Sequence, residues 1–108
     1  MTTQEINKTY NRIIGFLDNK ELKNAFDHLQ GLIAGSYNYE FQDKLDGLQN
    51  TYKYMLRYKL EGFADPMQHK IYTDLLRDCY ELTDKVRIKA LSKESSRLFF
   101  KSGRERKI

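Results

Sequence analysis

One cysteine, one proline, no tryptophan and six glycines stand in a chain of 108 residues, and each shortage excludes something. A lone Cys79 leaves no internal disulfide to form. So few prolines and glycines leave too little turn chemistry for an all-β fold of many short strands, and they permit long helices. No run approaches the ~18 consecutive apolar residues of a transmembrane helix, and the polar opening MTTQEINK lacks the apolar stretch of a signal peptide. These absences together point to a reducing, cytoplasmic compartment. A Gly-rich phosphate loop, a nucleophile elbow and zinc-ligand spacing are all missing too.

What is present is ordinary for a soluble domain: 40% hydrophobic and 31% charged residues, with eight tyrosines and six phenylalanines as bulky packing material. The charge is unevenly placed. From Lys85 onward there are nine Lys or Arg and two Glu, a balance of +7, whereas the first 84 residues hold ten bases and thirteen acids, a balance of −3. An acidic body therefore leads into a basic end.

Apolar residues recur at helical spacing throughout. Ile6, Tyr10, Ile13 and Leu17, widened by Ile14, predict a first helix over 3–17. Asp18 reads as an N-cap with Glu21 as its capping-box partner. A second helix follows with Leu22, Ala25, Phe26, Leu29, Leu32 and Ile33 inward, stopped by Gly35. A third begins near Ser36 or Asn38 and carries Phe41, Leu45, Leu48, Tyr52 and Met55, extended by Leu56 and Leu60 to Gly62. Asp65-Pro66, with Gln68 in capping-box position, opens a fourth whose face is Met67, Ile71, Leu75, Cys79, Leu82 and Val86, flanked by Tyr72, Leu76 and Tyr80. The pattern fades after Leu91. The expected architecture is all-α: about four main helices in two antiparallel hairpins over 1–91, then a basic extension over 92–108 that leads toward a further helix. Helices three and four, each more than about 35 Å long at 1.5 Å per residue, outreach the first two.

The stretch around the first turn resembles a tetratricopeptide hairpin. Phe16 ends one helix, Asp18-Asn19-Lys20 forms the turn, and Leu22, Ala25, Leu29 and Leu32 follow in the expected order. Ile13 and Lys20 stand where the repeat prefers glycine, no closing proline follows, and no second copy appears at the repeat period. More broadly, QNTYKYMLRYKLEGFADPMQHKIYTDLLRDCYELTD together with SSRLFF resembles the N-terminal region of large bacterial helical-repeat proteins similar to tetratricopeptide proteins. That resemblance implies an N-terminal piece of a longer superhelix, generic protein–protein interaction, and no catalytic residues.

Few residues carry candidate chemistry. His28 and His69 fall on different helices with no second ligand at metal spacing, so neither is assigned a catalytic or metal role. Cys79 lies on an apolar stripe and reads as a buried small hydrophobe. Asp74, Asp78 and Glu81 share a helix face, but with Arg77 and Lys85 close by they read as a solvated ionic face. In TYKYMLRYKL, Tyr54 and Tyr58 form a face beside the inner stripe and are candidates for partner packing, as are Leu98, Phe99 and Phe100. Arg97, Arg104, Arg106 and Lys107 are candidates for holding anions. The functional expectation is a non-catalytic interaction or scaffold module with no cofactor and no small-molecule substrate. Its partner is a protein or a second copy. The alternative is a nucleic-acid-binding protein that uses the basic end.

Overall fold

The computed structural model describes the backbone of residues 2–34, 38–60 and 66–106, and side chains over 2–34, 38–57 and 69–96. Four helices account for the described chain: α1 (Thr3–Asp18), α2 (Leu22–Ala34), α3 (Tyr39–Leu60) and α4 (Pro66–Arg106). No strand occurs among the described residues, so the fold is all-α.

The helix ends follow from local chemistry. Thr2 caps α1, its hydroxyl oxygen accepting the Glu5 amide at 3.2 Å. Asp18 is not the N-cap that the sequence suggested. It is the last residue of α1, and Glu21 takes part through its backbone, its carbonyl accepting from the Ala25 amide. The turn is instead a Schellman motif: the Lys20 amide donates to Leu17 and the Glu21 amide to Phe16. This closure needs a left-handed residue at Lys20, whose φ is 62°, a conformation that glycine adopts at less cost. Asn38 caps α3, its side-chain oxygen accepting the Phe41 amide at 3.2 Å. Pro66 takes the first position of α4, where its missing N–H costs nothing. The expected capping by Asp65 and Gln68, and the stops at Gly35 and Gly62, lie outside the described residues.

α1 packs against α2 and α4, α3 against α4 and α2, and α2 also touches α4. Polar pairs fix the direction of α1 on α4: Asp18 meets Tyr80, Tyr10 meets Asp84, and Asn7 meets Arg87. The two helices are therefore antiparallel. Across α2 and α3, the Gln30 and Gln42 amides bond each other reciprocally at 2.6 and 2.9 Å, and Phe26 meets Tyr52 edge-on at 5.7 Å. α4 lies beside α1, and among the described residues no Cα pair of α1 and α3 comes within 8 Å.

The core is the predicted stripe set at its centre. Ile6, Ile13, Leu17, all six inward residues of α2, Phe41, Leu45, Leu75, Cys79, Leu82 and Val86 are buried. Leu48, Tyr52, Tyr72, Leu76 and Tyr80 pack half-buried at its edge. Leu56, expected to extend the α3 stripe, is 40% exposed instead: it lies toward the end of α3, past the residues that α2 covers. Thr83 is fully buried although polar, its hydroxyl donating to the Cys79 carbonyl at 2.7 Å.

The largest difference from expectation is the length of α4. It does not stop near Leu91 but runs unbroken for 41 residues to Arg106, about 61 Å at 1.5 Å per residue. Between Pro66 and Ser102 the sequence holds no further proline or glycine, so nothing interrupts the ladder. The molecule measures 69 × 24 × 17 Å as a result.

Candidate functional site

Three places hold polar side chains together, and their chemistry differs. The first is the α1–α4 seam. The Tyr10 hydroxyl donates to Asp84 at 2.7 Å, the Arg87 guanidinium lies 4.4 Å from the centre of the Tyr10 ring, and Arg87 Nε donates to Asn7 at 3.1 Å. The hydrogen bond to Asp84 leads the causes that raise the Tyr10 pKa, with burial adding to it. One helical turn away, the Tyr80 hydroxyl donates to Asp18, and that bond is the main cause that pushes the Tyr80 pKa up to about 12. These contacts tie α1 to α4.

The second place is a cleft of about 430 Å³ between α3 and α4, lined by Lys44, Gly47, Leu48, Thr51, Asp78, Glu81, Leu82 and Lys85. It is open and carries two cations against two carboxylates. It continues at Thr51 into a smaller, mainly apolar hollow lined by Asn50, Tyr54, Met55 and Ile71. Tyr54, singled out from sequence, stands there 58% exposed. Tyr58, its predicted neighbour, has a side chain outside the described residues.

The third is the extension of α4. Ile88 is 66% exposed on the side away from the core. Lys85, Lys89 and Lys93 are exposed at steps of four, and Ser92, Ser95 and Ser96 are exposed between and beyond them. Ala90 and Leu91 still pack against the core edge, and Glu94 is buried at 8% exposure. Leu98, Phe99, Phe100, Arg97, Arg104 and Arg106 belong to α4 by backbone, but their side chains lie outside the described residues, as does Lys107 entirely. Sequence reasoning did not single out Ile88 as an exposed apolar residue. On the continuous helix, Val86 turns inward and Ile88 outward.

The remaining candidates sit in plain surroundings. His28 Nδ1 donates to the Asn24 carbonyl at 2.9 Å and its ring rests 4.9 Å from Phe16. His69 is exposed. Cys79 is buried, and burial pushes its thiol up to about 12. Asp74 and Asp78 flank Arg77 at 3.4 and 3.7 Å, which is the solvated ionic face expected from sequence. Among the described residues no group of three His, Cys, Asp or Glu is placed to hold a metal ion, and no helix is long and apolar enough to cross a membrane.

Comparison with known proteins returns no match: no protein-family model, no curated protein and no solved structure is similar to this chain.

Proposed function

We propose that this chain is a non-catalytic helical module that binds another protein, with the extension of α4 as its contact surface. The observation that carries the reading is Ile88, a large apolar side chain 66% exposed, on a helix that continues past the packed bundle. Apolar surface held out on a rigid helix favours docking against a partner. The resemblance to bacterial helical-repeat proteins supports the same reading, in which these residues form the N-terminal part of a larger helical protein in the cytoplasm.

The test is site-specific photo-cross-linking in cell extract, with the cross-linker at Ile88 and, as control, at the exposed Lys23 of α2. The reading expects a discrete protein adduct from position 88 and none from 23. Adducts to nucleic acid at 88, or the same smear at both positions, would overturn it.

A second reading rests on the cations. Lys85, Lys89 and Lys93 are exposed along one stripe of α4, and Arg97 and Lys101 continue the step of four in sequence. Such a ladder fits a phosphate backbone. It requires nucleic-acid affinity that falls steeply with salt and drops when Arg97, Arg104, Arg106 and Lys107 are neutralised together.

A further inference from the structure

We draw no further inference here: the strongest candidate, the open cleft between α3 and α4 lined by Lys44, Thr51, Asp78, Glu81 and Lys85, carries nothing, because two cations beside two carboxylates select no one ligand and nothing in the structure shows what covers it.

Discussion

At the residue scale, two side chains hold more of the structure than their types suggest. Lys20 sits at φ 62°, where a side chain with a Cβ is strained by about 1 kcal/mol or more. Replacing it with glycine removes that strain at the cost of some unfolded-state entropy. Lys20→Gly is therefore expected to raise stability by about 0.5 kcal/mol, read as a small upward shift in a thermal melt. Lys20→Val should lower it. Tyr80 ties α4 to Asp18, and its pKa is raised to about 12. A raised folded-state pKa means that the bond contributes fully below the unfolded phenol value near 10 and is lost as pH rises through about 12. Stability measured by denaturant should fall between those two values. Tyr80→Phe should flatten that part of the profile while costing about 0.5–1 kcal/mol at neutral pH.

At the element scale, α4 decides the character of the molecule. Its first half is an amphipathic bundle helix, and its second half offers Ile88 and the exposed serines to solvent. The two halves are one helix only because nothing between them breaks the ladder. Ser92→Pro inserts such a break and costs about 3 kcal/mol locally. Circular dichroism should show lost helix, and hydrogen exchange should show amides beyond 92 losing protection while those of Leu75 to Val86 keep theirs. Uniform loss across α4 would mean that the extension is needed to hold the bundle. The periodicity of α1 to α3 was legible in the sequence, because each has a clean apolar stripe. The continuity of α4 was not: Leu91 closes the last clear stripe, and a helix held by its backbone ladder leaves no apolar period to read.

At the scale of the whole molecule, a single core joins all four helices. Leu45 is fully buried on α3, so Leu45→Ala should cost about 2–5 kcal/mol through lost burial and the cavity left behind. Since the buried residues form one cluster, chemical denaturation of the variant should remain a single transition, displaced as a unit. A second, separate transition would show that α3 unfolds on its own.

The sequence by itself determined the helical class, the identity of nearly every core residue and the place of Pro66, because these follow from local spacing and backbone chemistry; of the two candidate starts of α3, Ser36 and Asn38, only the structure shows Asn38 capping it. Lys20 was visible as the odd residue at the turn, yet the Schellman closure that makes it left-handed needed the neighbouring carbonyls of Phe16 and Leu17. Only the tertiary structure decided that α4 closes against α1 rather than leaving α3 beside it. That choice rests on contacts far apart in the chain, Tyr10 with Asp84, Asp18 with Tyr80 and Asn7 with Arg87, and no periodicity within a single helix encodes which partner meets its polar edge.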